Sequence, residues 1–291
     1  MQPRLDHDCW FLSGPTAAGK TALAIAMAKH LNAQIVSVDS MAVYRGLDIG
    51  TAKPSPQERL AVPHHLIDVA DPTQSYSVAR WLDDATRAVE TIRSHGQSIL
   101  FVGGTPLYLR MLRDGLSPLP ETSLQRRTEF LEELSRIGMQ ALHERLRTLD
   151  PIAAFKIHPH DTRRVIRALE VISTSGLPLS QQQTQHPNPI LESHLFVLDI
   201  PRAILHKKID ERTRTMFENG IVDEVFRVTT TYGPLGLTAS QATGYREALE
   251  VLAGRMDREE AVLIVQRRTR QLAKRQLTWL RGFPGARWIT A

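Results

Sequence analysis

The stretch Cys9-Trp10-Phe11-Leu12-Ser13-Gly14-Pro15-Thr16-Ala17-Ala18-Gly19-Lys20-Thr21 runs from an apolar triplet into a glycine-bounded loop that closes on lysine and threonine. Ala22 to Ala28 follow, an alanine-rich series with high helix propensity. Strand, glycine loop and helix in that order make an anion site. Backbone N–H groups wrap the ligand, the helix N-terminus adds partial positive charge, and Lys20 adds a full one. The Thr21 hydroxyl is placed to reach Mg²⁺ beside a bound phosphate. The loop thus predicts a di- or triphosphate ligand without saying whose.

Two further apolar runs extend a sheet from it. Gln34 to Val38 reads as a buried strand that ends in Asp39-Ser40. Ser98 to Val102 is unbroken in its apolar character, as a parallel strand buried on both faces requires, and ends in Gly103-Gly104-Thr105. In an open α/β sheet, residues just past the carboxyl ends of strands face the ligand crevice. Asp39 and Thr105 are therefore expected near the phosphate loop, where Asp39 could hold Mg²⁺, accept a proton or cap the next turn. Tyr44 to Pro54, dense in glycine and threonine with two cations, reads as an ordered functional loop. His64 to Asp68 reads as a short strand; its adjacent histidines point to opposite faces, which argues against a shared metal. Ser77 to Ser94 predicts a helix with Ser77 as N-cap and Val78, Trp81, Leu82, Ala85, Val89 and Ile92 on one side.

The character of the chain changes at Gly115-Leu116-Ser117-Pro118-Leu119-Pro120, a proline-rich linker. Glu121 to about Thr174 is helical in pattern throughout, with Leu124, Phe130, Leu131, Leu134, Leu142 and Leu146 as apolar positions, and a polar stretch from Leu177 to Pro189 closes it. His194 to Ile200 returns to strand character. The expected organisation is a core of residues 1–116 and 194–291 around a helical insertion, 117–193. Helices are expected from there to the end, with Gly220 and Gly254 as stops.

Of the 291 residues only Cys9 is a cysteine, which excludes an internal disulfide and fits a reducing compartment. No apolar run approaches membrane-span length, and the first residues lack the basic-then-apolar order of a secretion signal, so a soluble cytoplasmic protein is expected. The formal charge is +5, but from Arg255 onward nine Lys+Arg face three Asp+Glu, so that segment carries +6 and the rest −1. At 100° per residue Arg267, Arg270, Lys274 and Arg281 share one stripe, opposite Val262, Val265, Leu272, Ala273 and Leu280. Such a helix can bury one side and offer the other to a polyanion. Arg163, Arg164 and Arg167 form a second basic cluster, with Glu170 as a local partner.

With these motifs placed, the chain closely resembles the bacterial tRNA dimethylallyltransferases, which prenylate N6 of adenosine 37 beside the anticodon. The resemblance is carried by Gly14 to Thr21, Ile35 to Ser40, Tyr44 to Pro54, Val102 to Tyr108, Arg163 to Glu170, Gly244-Tyr245-Arg246, and Arg270 to Arg281, in the family's order over nearly the whole chain. It implies an α/β, P-loop NTPase-like parallel sheet core flanked by helices, with a mobile all-helical insertion domain. It also implies Mg²⁺ dependence, dimethylallyl diphosphate as donor, the anticodon stem-loop of tRNA as partner, and no obligate protein partner. By motif, Gly14, Pro15, Thr16, Ala17, Ala18, Gly19, Lys20 and Thr21 would hold the diphosphate, with Thr21 on the metal. Asp39 would be the general base, with Lys20 and Thr105 at the reacting centre. Contacts to tRNA would come from Asp39, Ser40, Met41, Ala42 and Thr105, from Arg127, Arg163, Arg164, Val165, Ile166 and Arg167, from Gln241, Ala242, Thr243, Gly244, Tyr245 and Arg246, and from Lys274, Arg275, Gln276, Leu277, Thr278, Trp279, Leu280 and Arg281. Gln241-Ala242-Thr243 departs from the basic-Cys-Val usual before Gly-Tyr-Arg. A P-loop small-molecule kinase, a prenyltransferase acting on free adenine nucleotides, and a non-catalytic RNA-binding protein are the alternatives at this stage.

Overall fold

A computed structural model describes residues 2–117, 119–120, 123–182 and 189–290. The elements run β1 (Cys9–Ser13), α1 (Lys20–His30), β2 (Ala33–Ser37), α2 (Pro56–Ala61), β3 (His64–His65), α3 (Val78–Ser94), β4 (Ser98–Val102) and α4 (Pro106–Asp114). Then come α5 (Leu124–Leu149), α6 (Pro151–Lys156), α7 (Thr162–Ser175), α8 (Leu179–Gln182) and α9 (Pro189–His194). The chain ends with β5 (Leu195–Asp199), α10 (Arg202–Glu218), α11 (Ile221–Tyr232), α12 (Tyr245–Leu252), α13 (Arg258–Leu280) and β6 (Arg287–Thr290). Two compact units result, Met1–Asp114 with Pro187–Ala291, and Gly115–His186.

The first unit is built on a parallel six-stranded sheet in the order β3-β2-β4-β1-β5-β6. Side chains alternate across a strand, so each face takes every second residue. Phe11, Val36, Ile99 and Phe101 enter one core with Trp81, Leu82, Ala85, Val89 and Ile92 of α3. Leu12, Ile35 and Leu100 enter the other with Ala24 and Ala28 of α1 and Leu205 and Ile209 of α10. Burial on both faces is why β1 and β4 read as apolar runs and why even the polar Gln34 and Ser37 of β2 are buried. Ser77 caps α3 by accepting from Arg80 N at 3.2 Å, as its position predicts. Gly220 and Gly254 lie just beyond α10 and α12 in left-handed conformation, where helices of this kind stop.

The chain does not stay helical to its end. Arg287–Thr290 pairs in parallel with β5 as the sheet edge. Its side chains are mostly exposed, so it has no apolar run by which to be read. The preceding strand starts at Leu195, His194 being the last residue of α9. Among its described residues the regular elements of the second unit are all helices, α5 being broken at Gly138, where φ is 82°. Its core gathers Phe130, Leu142, Leu146, Ala153, Val165, Ile166 and Leu169, whereas Leu131 is exposed. Pro118 of the linker, Glu121, and residues 183–188 of the polar stretch lie outside the described residues.

At their carboxyl ends β2 and β4 converge: Val38 N donates to Val102 O at 2.7 Å, and Gly103 N to Leu12 O at 3.1 Å. A methyl group at Gly103 would lie 2.1 Å from Val38 O, a backbone atom that cannot yield. Gly103→Ala should therefore lower the urea midpoint of the protein by an amount equivalent to about 3 kcal/mol. A midpoint equal to wild type would show that this approach does not govern the sheet.

Candidate active site

The loop Gly14–Gly19 joins β1 to α1, and Gly19 enters the helix with φ 85°. Lys20 turns back over the loop, its Nζ donating to Gly14 O at 2.9 Å and Pro15 O at 2.8 Å. Burial brings its pKa down to about 8; Arg212 pushes the same way and Asp39 opposes. A lysine held in this state gains most from an anion, which restores the opposite charge that solvent no longer supplies.

Across the crevice Asp39 follows β2. Its Oδ1 accepts from Met41 N at 2.8 Å and Ala42 N at 3.2 Å. The cap expected of a carboxylate here is thus present, and it occupies one oxygen; among the described residues Oδ2 accepts no hydrogen bond. Thr105, after β4, accepts from Ser40 N through its Oγ1 at 3.1 Å. These groups line one cavity of about 390 Å³ with Thr16, Lys20, Thr21 and Arg212, and its apolar wall includes Ala24, Ile35, Val102 and Leu272. Such a cavity combines cations, one carboxylate and apolar side chains in its lining, a composition suited to an anion esterified to a small hydrocarbon.

Arg212, on α10, is the site residue that sequence reading misses. Its pKa is lowered by burial and held up by Asp39. Nothing local marks it, since α10 carries charges on several sides.

The loop from Tyr44 to Pro54 is ordered by partners far away in sequence. The Glu224 carboxylate accepts from Asp48 N at 3.1 Å and Ile49 N at 2.8 Å, and from the Tyr245 hydroxyl at 2.6 Å. Gly50 N donates to that hydroxyl at 3.1 Å. Lys53, its side chain 1% exposed, donates to Tyr44 O, Asp48 and Asp68. Gly50, Thr51 and Lys53 then face the cavity.

Of the residues expected to touch a polyanion, Ser40, Met41, Gln241, Thr243 and Arg275 line the cavity and Arg246, Lys274, Thr278 and Arg281 are exposed. Leu277 and Trp279 are half-buried. Ala42, Ala242, Gly244, Tyr245, Gln276 and Leu280 are buried; of these Ala42, Ala242 and Gln276 also border the cavity, while the side chains of Tyr245 and Leu280 serve the interior. On α13 the expected basic stripe loses Arg270, which pairs with Asp210 of α10, while Arg268 pairs with Glu247. In the helical unit Val165 and Ile166 are core. Arg167 donates to Pro120 O at 2.6 Å and lies 3.5 Å from Glu170, and Arg164 lies 3.3 Å from Asp161. Arg127 is half-buried on α5 and Arg163 exposed on α7.

Among the described residues no group of three or more His, Cys, Asp or Glu could hold a metal ion, and no helix is long and apolar enough to cross a membrane. His64 and His65 bond separately, to Val62 O and to Gln34. Cys9 is buried and free, its thiol pushed up to about 12 chiefly by burial.

The family model described as IPP transferase matches residues 42–283. The tRNA dimethylallyltransferase of Halorhodospira halophila is 47% identical over 276 residues, covering 93% of this chain and 89% of that protein. That of Stenotrophomonas maltophilia is 46% identical over 289 residues, covering 95% and 90%. Among solved structures, the tRNA isopentenylpyrophosphate transferase of Bacillus halodurans superposes with a TM-score of 0.70 at 37% identity, over 98% of this chain and 90% of that one. A eukaryotic dimethylallyltransferase captured acting on tRNA superposes at 0.77 with 27% identity, over 96% and 73%. A family model spanning most of the chain, together with relatives near half identity over almost its full length, establishes that this chain belongs to the IPP transferase family.

Proposed function

We propose that the chain transfers the dimethylallyl group of dimethylallyl diphosphate to N6 of adenosine 37 in the anticodon stem-loop of tRNA, releasing diphosphate. The observation that carries this reading is one cavity lined by Lys20, Thr21 and Arg212 together with Asp39 and Thr105. The family assignment supplies the prenyl donor and the RNA.

The residue chemistry follows from the reaction. The allylic C–O bond breaks with its electron pair leaving on the diphosphate, so negative charge builds up at the loop. The amides ahead of α1, Lys20 and Arg212 meet that charge and stabilise the transition state more than the ground state. The adenine amine is a weak nucleophile that gains positive charge as N6 bonds to carbon. Asp39 takes the departing proton on Oδ2, while Oδ1 stays on its cap and keeps the side chain oriented. Thr105 holds the backbone of Ser40 beside it. The base must leave its stack to enter, at a cost of a few kcal/mol. Phosphate contacts at Arg246, Lys274, Arg275 and Arg281, and on the helical unit at Arg127, Arg163, Arg164 and Arg167, offset it.

The donor set fits Mg²⁺. A cavity offering a threonine hydroxyl and one carboxylate, with no protein cage, suits a cation that keeps water and takes its remaining oxygens from a diphosphate. Thr21 would hold it, and when bound it would neutralise charge on the leaving group.

Incubating the protein with labelled dimethylallyl diphosphate against unmodified tRNA, and in parallel with AMP and with ATP, tests the assignment. Label is expected in the tRNA at adenosine 37 alone. Label in AMP, or phosphoryl transfer from ATP, would contradict it.

Asp39→Asn keeps an oxygen for the cap but cannot take the proton. Its kcat should fall about 10³-fold with tRNA affinity within about threefold of wild type, and retained turnover would dismiss Asp39 as the base. A bound anion raises the Lys20 pKa from about 8, so binding takes up a proton wherever free Lys20 is neutral. Diphosphate affinity relative to Lys20→Met should therefore be fully present below pH 8 and decline as pH rises through 8 to 10. A flat ratio in calorimetry would contradict this. Lys274→Gln with Arg281→Gln should reduce the slope of log affinity for tRNA against log salt by about 1.5; an unchanged slope would remove these cations from the RNA interface.

A further inference from the structure

Gln276 sits amid the basic residues of α13 yet is 8% exposed and turned inward. Its Oε1 accepts from Thr16 N at 2.8 Å, and its Nε2 donates to Gly104 O at 2.6 Å. Thr16 is inside the phosphate loop. Gly104 lies between the end of β4 and Thr105, whose hydroxyl holds Ser40 N next to Asp39. One amide therefore ties the leaving-group loop to the segment that carries the base, across 260 residues on one side and 172 on the other. The fit is close: a methyl group at Gly104 would lie 2.6 Å from Nε2.

We infer that Gln276 is a positioning residue for the transfer, setting the phosphate loop against the Asp39–Thr105 segment, and is not an RNA contact. This rests on the reading of the site given above. Only a neutral amide or a protonated acid offers a donor and an acceptor at this reach. A carboxylate accepts from Thr16 N but presents a second lone pair to Gly104 O, and adds negative charge beside an anion site. Alanine leaves both main-chain groups without their partner and frees the crest of the loop. The bond pattern also assigns Thr16 N away from the ligand, so the amides nearer Lys20 do the wrapping.

The test uses the full chain with inorganic diphosphate and Mg²⁺ by calorimetry, unmodified tRNA by filter binding, and prenyl transfer. Gln276→Ala should weaken diphosphate binding about tenfold and lower kcat by at least tenfold, with tRNA affinity within twofold. In Gln276→Glu both defects, expressed as a ratio to wild type at each pH, should be large at pH 8 and shrink towards pH 5.5. Protonation of a buried carboxyl regenerates a donor and an acceptor, and a merely structural loss would not recover in this way. Wild-type diphosphate binding in Gln276→Ala, a pH-independent ratio in Gln276→Glu, or weakened tRNA binding with kcat preserved would each overturn the inference. A wild-type chain that binds diphosphate but transfers no prenyl group would instead overturn the functional reading; the diphosphate titrations would still decide the role of Gln276.

Discussion

The close approach of Gly103 to the backbone of Val38 is the constraint from which the site follows. It draws the carboxyl ends of β2 and β4 together beside β1, whose own end opens into the phosphate loop. Three chain reversals then emerge at one edge of the sheet, so Lys20, Asp39 and Thr105, far apart in sequence, line one cavity. A parallel sheet buried on both faces holds those ends rigidly, because neither face can shift without opening a packed core. If the loop holds the leaving group and Asp39 is the base, as proposed, separating them by an ångström would cost about a hundredfold in rate, and rigidity here would be a functional property.

The C-terminal helices serve this edge in two ways. Outward they carry cations, of which Arg267, Lys274, Arg275 and Arg281 are exposed and without an ion pair among the described residues. Inward they contribute groups that fix loops. Glu224 gathers consecutive backbone N–H groups of the 48–50 segment with the Tyr245 hydroxyl, and Gln276 joins Thr16 to Gly104. Hydrogen bonds to a charged acceptor contribute about 1.5–3 kcal/mol each, enough to hold a glycine-rich loop in one conformation. The paired arginines are part of the same design: Arg268 with Glu247 and Arg270 with Asp210 fasten α13 to α12 and α10.

Much of this is legible in the residues. Buried parallel strands announce themselves as apolar runs, α3 by its apolar side and Ser77 cap, and the phosphate loop by its glycine spacing. The Ser55 and Glu58 capping box of α2 also obeys a sequence rule, directly after the stretch Tyr44 to Pro54 that reads as loop. What escapes does so for physical reasons. The edge strand β6 faces solvent and carries no period. Arg212 is one charge among many on α10 until the fold sets it by Lys20 and Asp39. Tyr245 and Gln276 lie in motifs that the family resemblance, taken residue by residue, carries over to the RNA. Their burial is decided by which way the helix faces, which only the tertiary contacts fix. Arg270 misleads in the same way, its partner being 60 residues away.

The relation between leaving group and base is most directly tested by a crystal structure of the protein with Mg²⁺, a thiolo analogue of dimethylallyl diphosphate and an unmodified anticodon stem-loop. The diphosphate is expected on the loop amides from Ala17 to Thr21 with Lys20 and Arg212 against its oxygens, and the adenine N6 within hydrogen-bond reach of Asp39 Oδ2. A diphosphate seated anywhere else, or an N6 with Asp39 out of reach, would contradict the assignment.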